Sequence, residues 1–341
     1  MKWQLVPFCI LLTLIYLMRC EQLYGAEESA AASQDPRLTN ALQAWTKRQQ
    51  QFKTAKFRIE GSVYVPKLSR THPRTVGRFP AEDHHSPVKI ELILDFANHR
   101  WRHSSQYSTY HLTHHRYIER YLIVLFDGKE CQEYRPQKEN RAIDPDYPKT
   151  QPELVMDSTS PHASAIQPET VPLFIGLGFV PVNITPQSLE PVKLDPSHFE
   201  IIEKPTSSKS IFVVRVKLPD SRPGKFSEVW VDENKDFSVV RVVEYNNGSA
   251  SWQADVDLEK RDSSWIPKGW QTRSLYDDNQ LDRESKLKVT DVRFNEEYPA
   301  TLFTKQPEPG MIIRRADKRF IVGRAGEKDI PVDGNPAFEK Q

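Results

Sequence analysis

Between Lys56 and Val65 the chain switches character at every residue. Phe57, Ile59, Gly61, Val63 and Val65 fall on one face; Lys56, Arg58, Glu60 and Ser62 fall on the other. The same period recurs in "VKIELILDF", which groups Ile90, Leu92, Leu94 and Phe96, and in "SIFVVRVKL", which groups Phe212, Val214, Val216 and Leu218. "ASWQADVDL" aligns Ala250, Trp252, Ala254, Val256 and Leu258. Alternation of this kind predicts antiparallel strands with one apolar and one wet face. Turn chemistry separates them at Asp127-Gly128, "DENKD", Asn247-Gly248, "KRDSS" and "YDDNQ". From Phe199 to Phe294 strand and turn signals succeed one another as a meander, without a repeat of fixed period.

The helical period is clear in one place. Asp35 can cap a helix, Pro36 suits its first position, and Leu38, Leu42, Trp45 and Phe52 recur on one face. The polar run Lys47 to Gln51 reads as solvated, and the helix as packed on the sheet. Two stretches interrupt the strands: a loop over residues 66–87 rich in Pro, His and Arg, and a Pro-rich insertion over 136–198. Within the insertion, "ETVPLFIGLGFVPVNITP" carries no charge from Val171 to Thr185, in a chain of mean hydropathy −0.62. An insertion of that size is expected to be functional, or to pack as short helices over the sheet. After Pro309 the chain is basic, then rich in Gly, Pro and charge, with one further strand in "RFIVG".

Charge and targeting narrow the classes. With 47 Lys and Arg against 46 Asp and Glu over 341 residues, there is no general pull toward nucleic acid or anionic membrane. "MKWQLVPFCILLTLIYLMRCEQLYGA" reads as a secretory signal, its apolar run from Trp3 to Met18 being short of the roughly 20 residues that span a bilayer. Cleavage is expected after Ala26; an uncleaved anchor and a lipoprotein acylated at Cys20, against which Arg19 speaks, are the alternatives. Removal of residues 1–26 leaves Cys131 as the one thiol, so stability must come from a core. The expected organisation is a signal peptide over 1–26, a flexible leader over 27–35, one domain over 36–315 and a tail over 316–341.

Catalytic signatures are missing: no G-x-S-x-G, H-E-x-x-H, Walker loop, G-x-G-x-x-G or C-x-x-C stands in the chain. The expectation is a non-enzymatic protein without cofactor. Eight of the ten histidines lie between His72 and His115. Imidazoles of His99, His103, His111 and His115 could bind zinc or copper if neighbouring strands brought them together; the bland expectation is solvent-facing histidines on polar strand faces. "WIPKGW", with Trp265 and Trp270, reads as strand-end anchoring around a Pro-Gly turn.

The order of pieces resembles the periplasmic lipoprotein carriers LolA and LolB. "FKTAKFRIEGSVYV" looks like their first strand after the helix, and "LIVLFDGKECQEYRP" is similar to their strand–Asp-Gly-Lys turn–strand. "TVPLFIGLGF" falls where those proteins have a helix across the barrel mouth. "VTDVRFNEEYPATLFTKQPEPGMII" resembles their closing strand with its Phe…Pro-x-Gly ending. The likeness spans roughly residues 38–315. It implies a mainly β (α+β) fold, an antiparallel unclosed β-barrel with one N-terminal helix and a helical lid over a cavity for acyl chains. One departure is that Asp95 stands about where the lipoprotein carrier has a lid-holding arginine, with Arg100 and Arg102 nearby in another register.

On this reading the cavity is lined by Ile59, Val63, Leu92, Leu94, Val214, Trp252 and Val256, and the lid presents Leu173, Phe174, Ile175, Leu177 and Phe179. The implied function is binding of a lipid or lipidated protein in the bacterial envelope, in the periplasm, with transient contact at a membrane surface and no nucleic acid partner. The alternatives are a sensor or scaffold module binding an envelope protein, and a His-rich metal-binding protein. A short core helix sealing a solid sheet is the bland reading of the lid. Alternation alone leaves inner and outer faces open, because a slip of one residue exchanges them.

Overall fold

A computed structural model describes residues 35–67, 82–111, 116–136, 152–157, 169–180, 189–217, 224–276, 279–315, 318–324 and 326–331. The expected signal peptide and most of the leader lie outside these residues.

Helix α1 (Pro36–Gln49) starts as its sequence predicts. The Asp35 carboxylate accepts the Arg37 backbone N–H at 2.9 Å, and Pro36 fills the first position, where a missing N–H costs nothing. Leu38, Ala41, Leu42 and Trp45 are buried. The run after it is not uniformly solvated, since Arg48 and Gln49 are buried too.

The strands form one sheet. Its first arm is β1 (Thr54–Val65), β2 (His84–Asp95), β3 (Arg100–His111), β4 (Arg116–Phe126), β5 (Cys131–Arg135) and β6 (Glu153–Asp157). The second arm is β7 (Phe199–Ile202), β8 (Ile211–Val216), β9 (Phe226–Asp232), β10 (Ser238–Asn246), β11 (Ser249–Arg261), β12 (Ser264–Leu275) and β13 (Leu281–Phe294). Three short strands follow: β14 (Ile312–Arg315), β15 (Lys318–Ile321) and β16 (Ile330–Pro331). The spatial order is β16-β15-β14-β6-β5-β4-β3-β2-β1-β13-β12-β11-β10-β9-β8-β7, so the edges do not meet and the barrel is unclosed. Each arm is a meander of hairpins, and the arms join where β1 pairs antiparallel with β13, from Ala55 opposite Phe294 to Tyr64 opposite Glu284.

Turns fall where their chemistry puts them. Asn247 and Gly248 both take positive φ (50° and 84°) between β10 and β11, the geometry of a tight primed hairpin turn. The 66–87 loop is shorter than expected, because β2 already begins at His84 and its residues pair with β1 up to Val65. The 136–198 insertion contains β6, paired with β5 on one side. "WIPKGW" holds no Pro-Gly turn: Trp265 stands at the start of β12 and Trp270 further along it, and Pro267 sits where β12 pairs with β11 alone, so its missing N–H breaks no ladder with β13.

Both faces of the sheet are covered in part. The inner face carries α1 and a short second helix, α2 (Val171–Gly176), and the alternating apolar residues of both arms point toward them. On the outer face the chain after β13 crosses back over the first arm. Phe303 is buried there, with the Arg100 guanidinium 4.8 Å above its ring, and the Lys305 N–H donates to Gln132 Oε1 at 2.7 Å. This strap delivers β14 alongside β6 as a parallel pair, which needs such a crossover. It also explains why "YLIVLF" in β4 is apolar without alternation: Val124 is buried within and Leu125 without.

Candidate functional site

The inner face holds two apolar clusters. The first joins Ile59, Val63, Leu92, Leu94 and Val256 to Leu173, Phe174, Leu177 and Phe179. The second joins α1 and the face bearing Val214 and Trp252 to Ile175 and Val180. The seven strand residues expected to line a cavity thus all share the inner face, and the α2 segment bridges both clusters. Its five expected apolar contacts, Leu173, Phe174, Ile175, Leu177 and Phe179, are at most 4% exposed. A notch of about 630 Å3 opens along β11, β12 and β13, lined by Val240, Val256, Trp270 and Leu287 and also by the polar Asp255, Asp257, Lys268, Gln271 and Lys288.

The local sequence dictates how α2 ends. Gly178, at φ 89°, is the left-handed residue that closes the helix: its N–H donates to the Ile175 carbonyl at 2.9 Å and the Phe179 N–H to the Phe174 carbonyl at 3.0 Å. Lack of a side chain matters as much as φ. A methyl on Gly178 would stand 2.5 Å from the Trp45 carbonyl oxygen of α1, and one on Gly176 would stand 2.2 Å from the Pro267 ring of β12. The two glycines that break the apolar stretch let it press against α1 on one side and the sheet on the other.

Polar contacts hold the segment at both ends. At its start the Trp270 indole N–H donates to the Glu169 carbonyl at 2.6 Å, and the buried Glu169 carboxylate pairs with Arg283 at 2.5 Å. At its end Gln49 Nε2 donates to the Gly178 carbonyl at 2.9 Å, while Gln49 Oε1 accepts the Val192 N–H at 2.6 Å. Glu169, Arg283 and Gln49 escaped the sequence reading. The signal for Glu169 was its place as the last charge before the apolar run; Gln49 lies one helical turn beyond Trp45 and so shares its buried face. Arg283→Ala is expected to loosen the segment by about 1–2 kcal/mol: a buried carboxylate loses its partner, but Arg283 is about a third exposed and water screens the pair. Amide hydrogen exchange should speed over residues 173–180 and stay unchanged in β1 and β13; uniform acceleration would contradict this.

Asp95 has no part in these contacts. It ends β2 on the outer side, buried, where it pairs with Arg100 and its Oδ1 accepts the Asn98 N–H at 3.0 Å to close the β2–β3 turn. Among the described residues the candidate histidines do not converge. His99 lies in that turn at φ 54°, off the strand, and so does not share a strand parity with His103. His111 ends β3, eight residues or roughly 26 Å along from His103. His115 falls outside the described residues. Among the described residues no group of three or more His, Cys, Asp and Glu side chains is placed to hold a metal ion.

His103 also departs from the solvated expectation. It is 1% exposed, on the inner face between Leu92 and Val124, and burial in these apolar surroundings pushes its imidazole down to about 4. The reason is register: Asp95 pairs with Arg100, so the inner parity of β2 continues through Trp101, His103 and Ser105 on β3.

No family model matches the chain, and no curated protein matches it in sequence. Solved structures do match. A domain from Vibrio parahaemolyticus described as an outer membrane lipoprotein-sorting protein aligns over 77% of this chain and 95% of its own, at 10% identity and a TM-score of 0.39. Lipovitellin, from a study of its lipid–protein interactions, aligns over 72% of this chain at 9% identity and a TM-score of 0.23, and the chain spans 26% of its length. The half-barrel itself rests on the strand order.

Proposed function

We propose that this chain is a non-enzymatic envelope protein that binds a lipid or lipidated protein on the inner face of its half-barrel, with the α2 segment as a lid. The proposed unit is the domain over 36–315, exported with its signal peptide removed near Ala26. What supports the reading is the seat of α2: an uncharged segment, pinned at its two ends by polar contacts, fills the apolar face with five side chains that another apolar body could replace.

Magnitudes decide what could replace it. Five large apolar side chains at about 2 kcal/mol each put roughly 10 kcal/mol into the closed state. A buried methylene is worth about 0.8 kcal/mol, so about a dozen methylenes balance the exchange. Chains much shorter than that leave the lid shut; one long chain, or two, displaces it. The sheet beneath keeps its own ladders through the exchange, so opening is local.

The test is direct. Organic extracts of the purified protein, read by mass spectrometry, should contain long-chain acylated molecules, and N-terminal sequencing should begin near Glu27. Stripped protein should take up a sixteen-carbon fluorescent acyl probe and ignore the eight-carbon one. Empty extracts together with no uptake of either probe would sink the proposal.

A further inference from the structure

Three successive inner-face residues of β3 are polar at one edge. Trp101, His103 and Ser105 are 2%, 1% and 1% exposed, spaced about 7 Å apart along the strand. Trp101 Nε1, both imidazole nitrogens of His103 and Ser105 Oγ have no hydrogen-bond partner. Buried polar atoms are nearly always partnered, and four unpartnered ones in a row on one strand face are unusual. They point among Leu92, Leu94, Val124 and Leu122, the surface where an acyl chain would lie.

We propose that His103 and Ser105 form a polar anchor on this face for the neutral carbonyl of an ester- or amide-linked acyl chain. A neutral imidazole carries one donor and one acceptor, a hydroxyl carries both, and the indole of Trp101 adds a donor. A carbonyl oxygen accepts from any of them. A free carboxylate or a phosphate does not fit the row, because no cationic side chain belongs to it and an uncompensated buried charge is costly. A bare hydrocarbon leaves every one of these atoms unpaired. The row therefore selects for the linkage near the head of an acylated molecule and fixes how deep its chain sits. This rests on the inner face being the binding surface, as proposed above. An ordered water that satisfies the same atoms in both states is the rival account.

The mature protein, stripped of ligand, is titrated with a diester glycerolipid, its diether counterpart, the matching free fatty acid, and a diacylglyceryl-cysteine peptide, each displacing a fluorescent acyl probe. The wild type should bind the diester roughly five- to tenfold more tightly than the diether, the worth of one hydrogen bond, and the fatty acid no better than the diether. His103→Leu should abolish that preference while leaving the diether within about twofold. His103→Gln, which keeps a donor, should recover part of it, and Ser105→Ala gives an independent reading should His103→Leu not fold. A tighter fit to the peptide than to the diester would identify a lipidated protein as the source of the carbonyl, and the reverse a membrane lipid; both support the anchor. Equal binding of diester and diether by the wild type, or equal weakening of both by His103→Leu, would overturn it and leave the carrier reading standing. No binding of any acylated probe would overturn both.

Discussion

Phe174→Asp is expected to leave the sheet folded and the lid open. Phe174 is 4% exposed and meets Phe179 edge to face at 6.2 Å within the first inner cluster. An aspartate there sets an unpaired carboxylate against an apolar wall, a burial costly enough that the segment swings into water instead. The loss is then capped at what the lid contributes, because the backbone ladders of β1, β2, β12 and β13 run between those strands and not to α2. The circular-dichroism spectrum should stay that of the wild type, binding of a hydrophobic dye should rise several-fold, and a preloaded acyl probe should leave faster. If α2 is instead a permanent plug, the same change falls in a solid core. Truncation of a buried Phe alone costs about 3–5 kcal/mol, and the charge adds to it. A drop of that size in the midpoint of cooperative unfolding, with no ligand bound by the wild type, would refute the lid. Phe174→Leu, a milder change, should cost under about 1.5 kcal/mol in either case.

Acid should weaken the fold through His103 before most carboxylates titrate. Its imidazole ionises near 4 in the folded chain, against an ordinary value of 6.5, because burial disfavours the charged ring. Below pH 6.5 the unfolded chain takes up a proton that the folded chain refuses, so stability falls as pH falls. The contribution is fully present above the unfolded value and is lost between about pH 6.5 and pH 4. At 1.36 kcal/mol per unit the full loss is roughly 3 kcal/mol. His84, half-buried and stacked on Tyr117, is displaced in the same direction by burial and adds to the trend. Urea unfolding at pH 7.5 and pH 5 measures the slope, and His103→Leu should remove most of it. An unchanged slope in that variant would place the loss elsewhere.

How much of this was legible follows from which signals are local. The alternation in β1, β2, β8 and β11 grouped the residues that share a face, but which face is inner needed the fold, and Ile93 and Val213 interrupt the polar rows of β2 and β8. The end of α2 was not named from the sequence, although Gly178 carries its signal, a residue free to take the left-handed φ that the turn needs. β6 was not, because five residues in a Pro-rich stretch become a strand through distant partners, β5 and the parallel β14. β4 lost its alternation to a strap arriving from Phe303, far along the chain. His103 hid for a different reason: its inner neighbours include a serine, so the strand reads polar on both faces. Extending the β2 register around the Asp95–Arg100 turn would have placed it inside. The anchors of α2 needed the fold, since Glu169 and Arg283 meet only after the second arm is laid down.

The seam between the arms has a consequence for how the molecule comes into being. Each arm is a chain of neighbouring hairpins that can zip locally, but β1 waits for β13, with Ala55 opposite Phe294. Pairings so distant in sequence are slow, because the entropy of closing the loop is lost before any contact repays it. During that wait β1 is an exposed edge, and the greasy rows of both arms face water without the α1 and α2 helices that later cover them. An open edge beside an open apolar face is the pairing most prone to stick to another chain. The vulnerable moment of this protein is therefore its birth, and a chain threaded unfolded to the place where it works would meet that moment only once, at its destination.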